Sequence, residues 1–172
     1  EVIDRVADDR LRVYLYHIPP IAQVGFRPSL IERLISIFPQ TVVGIKDSSG
    51  DVQNLTTLLE KFPGFGTFAG SERLLLQTLR SGGVGTITAL ANIIPGPIRD
   101  LYDQWQSPEA DRIQADLNEL RTALAPYPVI AALKEIVARR WDDPDWRTVR
   151  PPLVGLPAHA AEELAALPAV AG

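Results

Sequence analysis

Lys46 is the residue of this sequence with the most chemistry open to it. It closes the apolar stretch "TVVGIK", in which Thr41, Val42, Val43 and Ile45 are β-branched, and it precedes the turn residues "DSSG". An ammonium held among apolar neighbours loses solvation, which favours the free amine that can attack a carbonyl carbon. A lysine snorkelling from a strand end into water explains the same residue without any chemistry. Tyr16 stands 30 residues earlier, at the end of another apolar stretch, "RLRVYLYHI". A phenol beside an amine can relay protons, and an aromatic plug of the core is the alternative. His17 points to the opposite face of the same strand, as a packing or loop-bonding residue. Tyr14 lies on the side of Tyr16 but deeper, where a core residue is expected.

Two glycine motifs invite a ligand reading. "SGGVG" at 81–85 lacks the Gly-Lys-Ser/Thr ending of a phosphate loop and connects a helix to the next strand. Gly82 and Gly83 are therefore read as a helix C-cap and a turn. "AGSE" at 69–72 leaves a strand and opens a helix, so its N–H groups could hold an anion, and a bare Gly70 would leave room for substrate. A plain N-cap at Ser71 is the competing account. No glycine fingerprint follows any strand, so a doubly wound nucleotide-binding sheet has little to support it.

The elements that must position these residues alternate in period. A strand ends near Tyr16. The stretch "PSLIERLISIF" then puts Leu30, Ile31, Leu34, Ile35 and Phe38 on one helical face. The strand at 41–46 is followed by the helix "GDVQNLTTLLEKF", capped at Ser49 or Asp51, and the strand "GTFAG" by "SERLLLQTLR". A fourth strand, "GTITAL" at 85–90, precedes "IRDLYDQW". Four βα units in a row imply a parallel sheet covered by helices. The remainder reads as helical: one helix opened by Ser107, Pro108 and Glu109 and running to about Leu124, then "VIAALKEIVARRW", then a short one at 158–166. The expected division is residues 1–106 as four βα units and 107–172 as a C-terminal helical segment.

The chain has 172 residues, enough for a real core, with 46% hydrophobic and 22% charged residues. Its net charge of −4 comes from interspersed acids and bases, which argues against a nucleic-acid or membrane partner. Without cysteine there is no disulfide or thiolate chemistry, a composition compatible with a reducing compartment. Two histidines, His17 and His159, do not support a histidine-rich zinc site. Methionine is absent even from position 1, and "EVIDRVADDRLRV" reads as the end of an amphipathic helix entering a strand. The expectation is a piece of a longer protein.

Together, "YLYHIPP" and "VVGIKDSSGD" resemble the tyrosine and Schiff-base lysine motifs of the dihydrodipicolinate synthase / N-acetylneuraminate lyase family. The match continues through "FAGSERLLLQTLRSGGVGTITALANIIP", "YPVIAALKEIV" and "RPPLVGL". The resemblance implies an α/β fold made of strands five to eight of a (β/α)8 TIM barrel plus C-terminal helices. It implies a lyase in which Lys46 forms an imine with pyruvate or another 2-oxo acid, Tyr16 shuttles protons, and Gly70 and the backbone carbonyl of Ile87 line the bound keto acid. No cofactor and no metal are implied. The parent protein would be a cytoplasmic homo-oligomer, a tetramer or dimer, in which a neighbouring subunit lends a second tyrosine. The family's carboxylate-gripping Gly-Thr-Thr segment has no counterpart in this sequence. Ile21 stands where dihydrodipicolinate synthases carry an arginine for the aldehyde substrate's carboxylate, and Arg27 comes later, at the start of the next helix. A related aldolase or dehydratase is therefore expected in preference to a genuine 4-hydroxy-tetrahydrodipicolinate synthase. A catalytically incomplete half-barrel fragment is the reading from outside the enzyme class.

Overall fold

The computed structural model describes residues 1–167. The chain divides into two compact units, Glu1–Ile87 and Thr88 onward.

The first unit is built on a four-stranded sheet of β1 (Val13–His17), β2 (Val42–Asp47), β3 (Gly66–Ala69) and β4 (Gly85–Thr86). The strands pair in chain order and every pair is parallel, as the alternation of periods predicts. Around them lie helices α1 (Val2–Val6), α2 (Pro19–Ala22), α3 (Pro28–Ile37), α4 (Val52–Lys61) and α5 (Leu75–Arg80). Pro28 fits the first turn of α3, where its missing N–H costs nothing, and it holds Arg27 in an extended conformation. Asp51 caps α4 by accepting from the Gln53 amide at 2.9 Å, while Ser49 Oγ accepts from the Asp51 amide at 3.1 Å. Both sequence candidates for that cap are in use. α5 stops because Gly82 takes the left-handed conformation (φ +84°) and the Gly83 amide donates to the Thr78 carbonyl at 2.8 Å.

The apolar stripe of α3 meets the sheet through Ile31, which packs with Val42, Ile45, Leu58 and Phe65, and with Leu34, Ile35 and Phe38 at the margin. Leu30, expected on that face, is left 42% exposed. A second cluster joins Leu55 and Leu59 of α4 to Ala69 of β3. Residues on one face of the sheet thus serve the helix layer, and the alternate residues Tyr14, Tyr16, Gly44, Lys46, Gly66 and Phe68 are left to the other face.

One irregularity sets how the first two strands align. Val13 pairs with Val42, but Tyr14 pairs with Gly44, so Val43 bulges out of the ladder.

The fourth strand differs from its sequence reading. "GTITAL" contributes only Gly85 and Thr86 to the sheet, and Ala89–Asn92 form a 3₁₀ turn instead. Thr88 Oγ1 accepts from the Leu90 amide, a local bond that competes with continued strand pairing.

In the second unit, α6 (Pro95–Asp103), α7 (Ala110–Ala123), α8 (Val129–Arg140) and α9 (Ala158–Ala165) follow the expected helical order. The opening of α7 shifts by two residues: Ser107 Oγ accepts from the Glu109 amide, and the regular helix starts at Ala110. Glu135 of α8, 5% exposed, accepts from Arg147 Nε at 2.7 Å and Arg139 Nε at 2.6 Å. The hydrogen bond from Arg147 is the main influence holding this carboxyl below its ordinary range, against burial that pushes it up, with Arg139 adding to the lowering. Among the described residues no helix is long and apolar enough to cross a membrane, and no group of three His, Cys, Asp or Glu is placed to hold a metal.

Candidate active site

β1 and β2 run side by side to the same edge of the sheet, and Tyr16 is the registered partner of Lys46. Registered residues of neighbouring strands share a face, so the two side chains must meet. Lys46 Nζ lies 3.3 Å from the Tyr16 hydroxyl and 4.4 Å from the centre of its ring. The lysine is partly buried and the tyrosine half-exposed, so both remain open to a small molecule. A primary amine and a phenol at hydrogen-bonding distance can form an imine on a carbonyl and move the protons that its formation requires.

Below this pair the same face is paved by aromatic rings over glycines. Tyr14 packs edge-on against Phe68 with ring centres 5.6 Å apart, and its ring lies where a side chain on Gly44 would be. Tyr14 has half of its surface exposed in this chain, on the sheet face turned away from the helices. It covers the two strand glycines from above and takes no place in the layer between sheet and helices.

Gly70 follows β3, and its missing side chain makes room for the turn after β2. A Cβ there would collide with Ser48 Oγ and stand 2.7 Å from the Asp47 carbonyl oxygen. The Gly70 amide already donates to that carbonyl at 2.7 Å, so it is not available to an anion. Ser71 behaves as an N-cap, accepting from the Arg73 amide at 3.3 Å. Gly70 therefore allows the β2–α4 turn to close against the end of β3. Ile87 is exposed at the end of β4, where its amide donates to the Ala69 carbonyl at 2.9 Å.

Asp47, read from the sequence as a turn residue, does more than turn the chain. Buried directly after Lys46, it accepts from the Ser49 amide at 2.9 Å and from Asn54 Nδ2 at 3.0 Å, pinning the turn to α4. An aspartate two residues before a backbone amide in "DSSG" is an Asx-turn signal. The reach to Asn54 is a tertiary matter with no local sign. A groove of about 470 Å³ in the second unit, lined by Ile94, Pro97, Arg112 and Leu117 among others, includes none of Tyr16, Lys46, Gly70 or Ile87.

The fold and this pair define a class: a parallel α/β protein with a lysine and a tyrosine brought together at the carboxyl ends of its strands. The chain belongs to the dihydrodipicolinate synthetase family, whose sequence profile matches residues 2–169. It is 35% identical over 157 residues to an uncharacterised DapA-like lyase of Chloroflexus aurantiacus, covering 91% of this chain and 51% of that protein. Among solved structures it superposes on dihydrodipicolinate synthase from Agrobacterium tumefaciens with a TM-score of 0.79 and 30% identity, over 95% of this chain and 55% of the other. A prophage protein of the dihydrodipicolinic acid synthase family from E. coli K12, solved in complex with pyruvate, gives a TM-score of 0.81 at 25% identity, over 94% and 57% of the two chains. The chain thus spans about half the length of the relatives it matches.

Proposed function

We propose that this chain is the C-terminal half of a (β/α)8 barrel lyase in which Lys46 forms a Schiff base with pyruvate or another 2-oxo acid. The observation that carries the reading is the registered Lys46–Tyr16 pair, with amine and hydroxyl 3.3 Å apart at the strand ends. In this account the four parallel strands are strands five to eight of the barrel, whose reactive face is the carboxyl edge.

The amine adds to the keto carbon, and the resulting carbinolamine loses its hydroxyl as water once Tyr16 has delivered a proton to it. The cationic imine then draws electrons from the bond next to the adjacent carbon. Loss of a proton there gives an enamine that can add to an aldehyde. In the reverse sense, cleavage of a carbon–carbon bond releases the aldehyde and leaves the enamine, which takes up a proton. In both directions Tyr16 is the group placed to give and take the proton.

The loop after β1 bears on the second reactant. Ile21 and Val24 are 76% and 71% exposed there, and Arg27 stands beyond the loop, at the N-cap of α3. A carboxylate on the second reactant would find no arginine fork on 18–26. This supports an aldolase or dehydratase acting on 2-oxo acids in preference to a genuine 4-hydroxy-tetrahydrodipicolinate synthase.

Incubation of the intact enzyme with pyruvate and borohydride, followed by peptide mapping, tests the assignment. The reduced adduct is expected on Lys46. Lys134 is the instructive competitor, sitting in the apolar helix α8 with its ammonium 5.3 Å from the ring centre of Trp146. An adduct on Lys134 or Lys61, or no adduct at all, would overturn the proposal.

A further inference from the structure

His17 ends β1 beside Tyr16, is 6% exposed, and has no part in the chemistry described so far. Its imidazole nevertheless has a definite task. Nδ1 accepts a hydrogen bond from the Phe26 amide at 2.9 Å, across the whole span of the loop that leaves the strand. The bond requires Nδ1 to be unprotonated, with the ring proton on Nε2. The loop is drawn in tightly around the ring: a Cβ on Gly25 would stand 2.7 Å from His17 Cε1 and 3.2 Å from Pro19 Cγ. The main chain of the same residue secures the other side, because the His17 carbonyl accepts from the Ser48 amide at 2.8 Å. One residue thus fastens both segments that leave the sheet next to Tyr16 and Lys46: the 18–27 loop through its side chain and the turn after Lys46 through its backbone.

We propose that His17 is a positioning residue: its imidazole holds the 18–27 loop, with Ile21 and Val24, in the place where the second, aldehyde-like reactant meets the imine. The proposal rests on the reading of Lys46 and Tyr16 given above. The carbonyl bond to Ser48 survives any side-chain change at position 17, so Lys46 keeps its setting when the imidazole is removed. Capture of the keto acid and capture of the second reactant then respond differently to substitution.

The test uses three variants of the intact enzyme, with pyruvate and glyceraldehyde as probes and hydrogen exchange at the Phe26 amide as an independent readout. His17→Leu fills the buried space but has no acceptor. His17→Asn puts Oδ1 two bonds beyond Cβ, where Nδ1 was, and His17→Gln puts its oxygen one carbon too far. His17→Leu and His17→Gln are expected to raise KM for glyceraldehyde and speed Phe26 exchange by about tenfold each, the worth of one net hydrogen bond. Borohydride trapping of pyruvate is expected to stay within about twofold of the unsubstituted enzyme, and His17→Asn to restore both other readouts. An unchanged KM and unchanged exchange in His17→Leu would sink the proposal, as would a His17→Asn enzyme as impaired as His17→Leu. An unsubstituted enzyme that traps pyruvate but takes no glyceraldehyde also overturns it, since the loop would then have no such reactant to meet. Failure of the unsubstituted enzyme to trap pyruvate overturns the Lys46 reading first, and the role of His17 with it.

Discussion

Replacing Tyr16 by phenylalanine removes one oxygen and little else. The ring stays, so the contact of the Lys46 ammonium with its face, 4.4 Å from the centre, is preserved along with the local packing. What disappears is the hydroxyl 3.3 Å from Nζ. As a contribution to stability that bond is small, about 0–1 kcal/mol, because the tyrosine is half-exposed and the pair is open to water. As a proton relay its loss should slow turnover by about 10²–10⁴-fold, or roughly 3–5 kcal/mol of barrier. The two magnitudes differ enough to separate the roles. Steady-state kinetics with pyruvate should show kcat falling by at least about a hundredfold, while the melting temperature moves by only a few degrees. Borohydride trapping should still label Lys46, more slowly. A Tyr16→Phe enzyme with turnover within about threefold of normal would refute the relay and leave Tyr16 as a covering aromatic.

Further outcomes follow from the packing and the charges. Gly44→Ala would drive a methyl into the Tyr14 ring and the Gly66 carbonyl, and since a backbone carbonyl cannot rotate away, a loss of about 1–3 kcal/mol in urea unfolding is expected. Gly70→Ala should displace the turn after Lys46 by pressing on Ser48 and the Asp47 carbonyl, lowering the rate of imine trapping; an unchanged rate would show that the turn absorbs the methyl freely. The carboxyl of Glu135 is held below its unfolded range in the native state, so its contribution is fully present above that range and is lost as pH falls through the depressed value. Glu135→Gln should therefore melt below the native protein near neutral pH, with the gap closing below about pH 4; a gap that is constant with pH would contradict the linkage. The 172 residues alone should self-associate in sedimentation experiments, since β1 and β4 are sheet edges and Tyr14, Tyr16 and Ile87 are exposed beside them; a cooperative compact monomer would contradict this.

Much of the first unit was legible because strand and helix periods differ so plainly in it. The lysine after four β-branched neighbours, the tyrosine one βα unit earlier and the Gly82 stop each rest on a local rule, and the structure keeps all three in place. The fourth strand was over-read, because "GTITAL" carries strong strand propensity while Thr88 spends its hydroxyl on a turn. What surrounds Tyr14 and Gly70 has no local sign, because what covers a side chain, or crowds a missing one, is decided by residues distant along the chain. Ser48 presses on Gly70 from 22 positions away in sequence, and no window along the chain contains both facts.

The bulge at Val43 makes the pairing of Tyr16 with Lys46 a matter of counting. Before it, partners on β1 and β2 differ by 29 positions; after it, by 30. Had the ladder kept its first interval, Tyr16 would lie beside Ile45, whose side chain serves the helix layer, and Lys46 would face His17. The Lys46–Tyr16 pair is therefore set by neither residue alone but by an offset, a vernier of one residue between two otherwise regular strands. Deleting Val43 would bring Gly44 next to Val42 and keep Lys46 opposite Tyr16 at the shorter interval, whereas flattening the bulge with Val43 retained would part the two groups without changing a single residue.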